Sequence, residues 1–275
     1  MRACVNFCES RSPRTLVEAL ELLAGEPGAW QPIAGATDVM VNFSAGKLPS
    51  RRFMNISQLQ ELRGIFVEKD AITLGALTTY AEVLRHRELC LAFPLLAEAA
   101  AATGGIATQN RGTLGGNIIN ASPAADTPPA LLVYEAEVEL TATEGPRWVP
   151  YCGFHTGYKQ TMLRPGELLT RIRLPRMSAP VRSRFRKVGT RRAQAISKVC
   201  FAGVCDSERR DVRIAYGSVA PVPLRCFTTE ESIRRGEDPS QSLAEELTPI
   251  TDVRSTEKYR LRVAQNLLAD FLQNA

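Results

Sequence analysis

Apolar positions along this chain switch repeatedly between helical and strand spacing, and the switches outline its elements. Leu16, Val17, Leu20 and Leu23 recur at helical intervals behind Ser12-Pro13, which predicts a helix capped there and ending near Gly25. Trp30 to Ala34 predicts a short strand running into a turn at Gly35, with Val39 to Val41 as its continuation. Asp70 to Ala76 alternates as a strand does, and Thr78 or Thr79 then caps a helix to about Arg87. Pro94 opens another helix, Leu95 to Ala102, closed by Gly104-Gly105. Leu131 to Leu140 reads as a strand that ends in a turn at Glu144-Gly145-Pro146. A linker is predicted at Pro175 to Pro180. Beyond it, strands over Ser197 to Cys205 and Val212 to Val219 flank a polar turn, Asp206 to Asp211. Thr256 to Leu272 predicts a long helix with Tyr259, Val263, Leu267, Leu268 and Phe271 on one face. Helices and strands mix without a regular βαβ beat, and no G-x-G-x-x-G follows a strand, which excludes a Rossmann dinucleotide fold and favours α+β.

One stretch obeys neither period. From Asn110 to Ala130 nearly every residue is small, polar or a helix breaker, with Gly115-Gly116, a Ser122-Pro123 step, the lone acid Asp126 and Pro128-Pro129. Small residues let a backbone approach a ligand closely, and free N–H groups suit phosphate oxygens. Asp126 offers one directed acceptor for a ribose hydroxyl; as a local device it would cap a helix before Thr127-Pro128-Pro129. Asn117 and Asn120 can serve turn backbone, and Thr113 a strand end. On chemistry alone this is a loop that holds a phosphorylated cofactor.

Composition narrows the class. The chain has 275 residues, 44% of them hydrophobic, enough to bury cores in two domains. Its net charge of +5 is widely spread and does not argue for nucleic acid. Charges interrupt any signal-like run near Met1, and no segment reaches the ~18 apolar residues of a membrane span, so a soluble, cytoplasmic protein is expected. Seven cysteines include no Cys-x-x-Cys; the nearest pairs are Cys4/Cys8 and Cys200/Cys205, which reads as reduced, mostly buried thiols and no metal site. The two histidines, His86 and His155, accompany no nucleophile motif, so triad hydrolysis has no support. Nine Lys or Arg lie between Arg171 and Arg192 with no Asp or Glu among them, chiefly a solvated face, with Arg191 and Arg192 suited to an anionic acceptor.

Five stretches in order along the chain also carry a resemblance. Asn110 to Ala130 resembles the flavin signature of the FAD-binding medium subunits of molybdenum hydroxylases, the xanthine dehydrogenase and carbon monoxide dehydrogenase family. Ile33-Ala34-Gly35-Ala36-Thr37-Asp38-Val39 is similar to that family's first pyrophosphate loop, with Ala36 standing where a second glycine is usual. Leu163 to Ile172, Phe185 to Gly189, and Arg254-Ser255-Thr256 with Tyr259-Arg260 match in order. The resemblance implies an FAD-binding domain of the vanillyl-alcohol-oxidase/PCMH type over 1–176, with subdomains of about 1–57 and 58–176. A small α+β domain with a three-stranded sheet and helices follows over 181–275. It implies non-covalent FAD held by Ile33, Ala34, Gly35, Ala36, Thr37, Asp38 and Val39, and by Gly112, Thr113, Gly115, Gly116, Asn117, Asn120, Ser122, Ala125 and Asp126. Leu169 and Lys187 join them, and Phe185 could cover the isoalloxazine.

The resemblance further implies an electron-transferring oxidoreductase subunit without catalytic residues of its own. Its partners would be a molybdenum-cofactor large subunit and a small subunit with two [2Fe–2S] clusters, assembled as a dimer of heterotrimers. The acceptor would be NAD, a quinone, ferredoxin or oxygen. The iron–sulfur insertion of one subfamily is absent. Two other readings are a free-standing FAD-dependent reductase or oxidase of the same superfamily, and a flavin-free assembly subunit; the intact glycines and Asp126 argue against the second.

Overall fold

The computed structural model describes residues 8–177, 182–191, 194–206 and 211–273. Cys4, Arg192, the second half of the Pro175–Pro180 linker and the tip of the Asp206–Asp211 turn lie outside them. The chain begins with β1 (Glu9–Arg11), α1 (Leu16–Gly25), β2 (Gln31–Ile33), α2 (Thr37–Ser44) and β3 (Arg52–Asn55). The three strands form a parallel sheet in the order β1-β3-β2. Helix α1 is capped by the Thr15 side chain rather than by Ser12-Pro13; its Oγ accepts the Glu18 N–H at 3.2 Å. Ala19, Leu20 and Leu23 pack on Trp30, Met54, Leu59 and Leu62, whereas Val17 faces solvent. Val39 to Val41 do not continue the strand. The left-handed turn at Ala36 reverses the chain into α2, so these apolar residues lie along a helix with Met40 and Val41 exposed.

The middle of the chain builds a five-stranded antiparallel sheet, covered on one side by short helices. In chain order come β4 (Ile65–Val67), β5 (Ala71–Gly75), α3 (Tyr80–Arg85), α4 (Arg87–Ala92), α5 (Pro94–Ala102), α6 (Ile106–Arg111), α7 (Leu114–Asn120) and α8 (Pro128–Val133). Then follow β6 (Glu137–Ala142), β7 (Gly145–Pro150), the hairpin β8 (His155–Gly157) and β9 (Gln160–Thr161), and β10 (Leu168–Pro175). The sheet order is β4-β5-β10-β6-β7. Thr79 caps α3 in a reciprocal capping box with Glu82, as expected, and His86 then caps a further helix, α4, that the sequence pattern does not separate. Leu131 to Leu140 is not one strand. Pro128-Pro129 start a helix, as proline does at the first turn, and Glu135 (φ 52°) turns the chain into β6. The signature stretch is likewise less loop-like than its composition, because Leu114, Gly115 and Ile118 bury one side of α7.

The C-terminal part adds β11 (Arg182–Val188), β12 (Val199–Cys205), β13 (Val212–Gly217), β14 (Leu224–Arg225), α9 (Phe227–Arg234), α10 (Ser240–Glu246) and α11 (Glu257–Gln273). Its antiparallel sheet has four strands rather than three, the fourth only two residues long. Strand β12 is buried throughout, which explains its unbroken run Val-Cys-Phe-Ala-Gly-Val-Cys. Val199, Phe201 and Cys205 join the core under α11, and Cys200, Ala202 and Val204 join the core of the preceding sheet. On α11 the buried residues are Arg260, Ala264, Leu268 and Phe271, with Val263 and Leu267 partly covered and Tyr259 exposed. The two terminal nitrogens of Arg260 are engaged by the carbonyls of Lys198 and Ser218 and by Asp252 at 2.7 Å, while its buried Nε meets no hydrogen-bond partner among the described residues.

Candidate functional site

Where β2, β5, α6, α7 and β10 end near one another, they leave a cleft of about 540 Å³, within the usual size of a small-ligand site. One wall is the turn from β2 into α2. Gly35 presses so close to α6 that a Cβ there would lie 1.7 Å from the Arg111 carbonyl oxygen; only glycine fits. Ala36 follows at φ 59°, the left-handed conformation a β-carbon disfavours. That twist aims the start of α2 at the cleft, and no side chain caps it. The N–H groups of Thr37, Asp38 and Val39 therefore lack intrahelical acceptors and point to a negatively charged ligand.

The opposite wall is α7, entered through Gly112 and Thr113. Its N–H groups are already engaged: Leu114 donates to Thr78 O at 2.9 Å, Gly115 to Ala76 O at 2.9 Å and Gly116 to Thr113 Oγ1 at 3.1 Å. The two adjacent glycines thus do different jobs. A Cβ on Gly115 would meet Ala76 O at 2.7 Å, so that residue seats the helix on the end of β5. A Cβ on Gly116 would meet only Thr113 Oγ1, at 2.9 Å, with the cleft beyond. Asn117 accepts a hydrogen bond from Thr127 Oγ1 at 2.6 Å.

Asp38, Asn120 and Lys159 close one end. Asn120 Nδ2 donates to Asp38 Oδ1 at 3.0 Å, and Lys159 Nζ donates to Asn120 Oδ1 at 2.7 Å and its carbonyl at 2.9 Å. Burial pulls the Lys159 amine down, with Asp38 opposing it. Apolar walls come from Pro32, Ile56, Leu77, Leu163, Leu168 and Leu169, the last two beside a register shift in β10 that turns the strand toward the cleft. Tyr80 also lines it. Burial, with Asp126 and Asp38 nearby, pushes its phenol far above the ordinary value, leaving a neutral hydroxyl.

Ile33, Ala34, Gly35, Ala36, Thr37, Asp38 and Val39 all line this cleft, together with Gly112, Thr113, Gly115, Gly116, Asn117, Asn120 and Leu169. Ser122, Ala125, Asp126, Phe185 and Lys187 gather elsewhere, at the seam between the five-stranded sheet and the C-terminal sheet. Asp126 does not cap α8, whose N-cap position is Thr127. Its carboxylate accepts Lys187 Nζ at 2.6 Å and Ser197 Oγ at 2.6 Å, and Lys187 also donates to Ala102 O at 2.9 Å. Phe185 is buried in the core, and Ser122 O accepts the Ala125 N–H at 3.1 Å in the turn before Asp126. Sequence reasoning missed Tyr80 and Lys159. Tyr80 sits at a helix start that reads as core, and Lys159 owes its place to a φ of 57° in the β8–β9 turn.

Among the described residues, no three His, Cys, Asp or Glu gather to hold a metal ion, and no helix is long and apolar enough to cross a membrane. The thiols of Cys200, Cys205 and Cys226 are buried, those of Cys8 and Cys90 half-buried, and that of Cys152 exposed.

The chain matches two family models: FAD binding domain in molybdopterin dehydrogenase over residues 6–177, and CO dehydrogenase flavoprotein C-terminal domain over 184–275. It is 30% identical to the xanthine dehydrogenase FAD-binding subunit of Escherichia coli O157:H7, covering 98% of this chain and 96% of that one. It is 32% identical to the nicotinate dehydrogenase FAD-subunit of Eubacterium barkeri over 81% of this chain and 78% of that one. Among solved structures, carbon monoxide dehydrogenase from Hydrogenophaga pseudoflava, in a form lacking the Mo-pyranopterin moiety, superposes with a TM-score of 0.90. That match has 26% identity and covers 95% of this chain and 94% of that one. With both halves matched in order and an uncapped helix start facing the cleft, the chain belongs to the molybdopterin dehydrogenase family, as one of its FAD-binding oxidoreductase subunits.

Proposed function

We propose that this chain relays electrons within a molybdenum-dependent hydroxylase, holding FAD without a covalent bond. The observation that carries the reading is the uncapped, left-handed entry to α2 facing Gly116 across the cleft. Donors at Thr37, Asp38 and Val39 receive the pyrophosphate, and Gly116 leaves room for it. Asn117, Asn120, Asp38 and Leu169 shape the rest of the contact. Lys187 has three donors and engages two of them, so one N–H remains for the cofactor; Asp126 fixes the ammonium, and Phe185, Ser122 and Ala125 pack the seam around the pair. FAD exchanges electrons singly with iron–sulfur centres and in pairs with hydride acceptors. A molybdenum-cofactor large subunit oxidises the substrate, and a small two-[2Fe–2S] subunit feeds this chain, in a dimer of heterotrimers. Electrons leave to NAD, a quinone, ferredoxin or oxygen.

The test is direct. The purified chain should be yellow, and acid precipitation should release all colour to the supernatant; colour in the pellet would overturn the non-covalent reading. A purine or aldehyde should leave the flavin of the isolated chain oxidised, and bleaching without partner subunits would favour a free-standing enzyme.

A further inference from the structure

On the other side of the Gly35–Arg111 contact lies a second cavity, of about 340 Å³, which shares only Ala34, Gly35, Leu77 and Thr113 with the first. Three arginines from three separate segments line it: Arg63 after the turn at Gln60–Leu62, Arg85 in the last turn of α3, and Arg111 at the end of α6. Arg63 donates to the Ser57 carbonyl at 2.7 Å, and Arg111 Nε to the Gly35 carbonyl at 3.3 Å. None of the three has an ion-pair partner among the described residues. The one carboxylate on the wall, Glu82, faces Thr79, accepting its N–H at 2.7 Å and its hydroxyl at 2.8 Å in the capping box.

Elsewhere in this protein arginines are commonly paired: Arg147 with Glu167, Arg173 with Glu137, Arg225 with Glu230. Three guanidinium groups around one hollow, each with donors to spare, make a positive concavity that concentrates anions. The wall carries Ser57, Gln58, Thr79 and Asn110, but no aromatic ring on which a base could stack. Guanidinium donors in a polar hollow suit phosphate oxygens.

We propose that this cavity binds a phosphate-bearing anion of the pyrophosphate or nucleoside-diphosphate class, separate from the flavin. The proposal rests on the flavin reading of the neighbouring cleft only in calling the two ligands separate.

The probes are inorganic pyrophosphate and ADP, titrated calorimetrically into the FAD-saturated full chain at constant ionic strength, with sulfate as the control. Both should bind without displacing FAD, and Arg63→Gln and Arg85→Gln should each weaken binding at least about tenfold while flavin absorbance and circular dichroism stay unchanged. Affinity unchanged in both variants, or matched by sulfate, would overturn the proposal in favour of diffuse electrostatics. Binding confined to flavin-free protein, with mutual competition against FAD, would make the cavity part of the flavin site. Absent binding combined with failure of Arg85→Gln to assemble with partner subunits would make it a protein interface. If the chain proves unable to take FAD at all, arginine-dependent binding to the colourless protein still upholds the anion site, and its absence still overturns it.

Discussion

Lys187, on the first strand of the C-terminal sheet, sets its ammonium 2.6 Å from the carboxylate of Asp126, in the stretch between α7 and α8. The side chains are 11% and 8% exposed, so the pair is a buried ionic tie between the two parts of the molecule. Burial pushes the Asp126 carboxyl up, and Lys187 and the Ser197 hydroxyl draw it back.

Breaking this tie from one side strands a charge. Lys187→Met should cost about 3–5 kcal/mol in chemical denaturation, whereas Lys187→Met with Asp126→Leu should lie within about 1 kcal/mol of the natural chain. The sign with pH follows. Without Lys187 the folded state favours protonated Asp126 more than the unfolded state does, so the native form binds more protons and stability falls as pH rises. The deficit of Lys187→Met should shrink between pH 7 and pH 4; a constant deficit would mean that Asp126 reaches water.

Ala36 stores strain that glycine would relieve. A left-handed non-glycine residue costs about 1–2 kcal/mol, part of which the greater freedom of glycine in the unfolded chain offsets. Ala36→Gly should therefore stabilise the protein by about 0.5–1 kcal/mol, read as a rise in Tm with flavin content unchanged. A lower Tm would show that the neighbouring contacts require the methyl.

Asp252 governs part of the acid limb. Burial works against its ionised form, but the N–H groups of Arg254 and Ser255 and the Arg260 guanidinium outweigh it and hold the carboxyl at about 2, against an ordinary value of 3.8. A lowered carboxyl contributes stability above the unfolded value and loses it as pH falls toward the folded one, here between about 3.8 and 2. The contribution is about 2 kcal/mol at neutral pH. Asp252→Asn should show that deficit at pH 7 and converge on the natural chain near pH 2.

The two glycines of α7 separate by experiment. Gly116→Val should give a largely colourless chain, with flavin affinity reduced about ten- to a hundredfold or more, while circular dichroism stays near that of the flavin-free natural chain. Gly115→Val should lower stability as well, because its side chain would strike Ala76. Gly25→Ala, where a Cβ meets nothing, is the control and should stay yellow. Full flavin occupancy in Gly116→Val would reduce the second loop to a turn.

Much of this was legible in the residues because backbone demands are written locally. Gly35 and Gly115 mark close approaches, Pro94 marks a helix start, and the apolar run of β12 marks a strand buried on both faces. What escaped depends on contacts distant in sequence. Val39 to Val41 form too short an apolar run to distinguish strand from helix, and the turn at Ala36 decides between them. Lys159 reaches the cleft only because a hairpin brings it beside Asn120, 39 residues away. The internal partners of Asp126 come from Lys187 and Ser197, 61 and 71 residues distant. Local pattern can nominate such a carboxylate but cannot say whether it faces a ligand or another side chain.

The contact of Gly35 with the Arg111 carbonyl has a consequence for how this cleft can vary. Main chain there meets main chain, with no side chain between them to shorten, lengthen or rotate. The seating of the β2–α2 turn against the end of α6 is therefore a fixed gauge. Substitutions at Pro32, Ile56 or Leu163 can repaint the lining of the cleft, but they cannot shift that seating. A change in the thickness of the ligand would require the β2–α2 turn or the end of α6 to be rebuilt, so variation in this protein should alter what surrounds the cofactor far more readily than the slot that admits it.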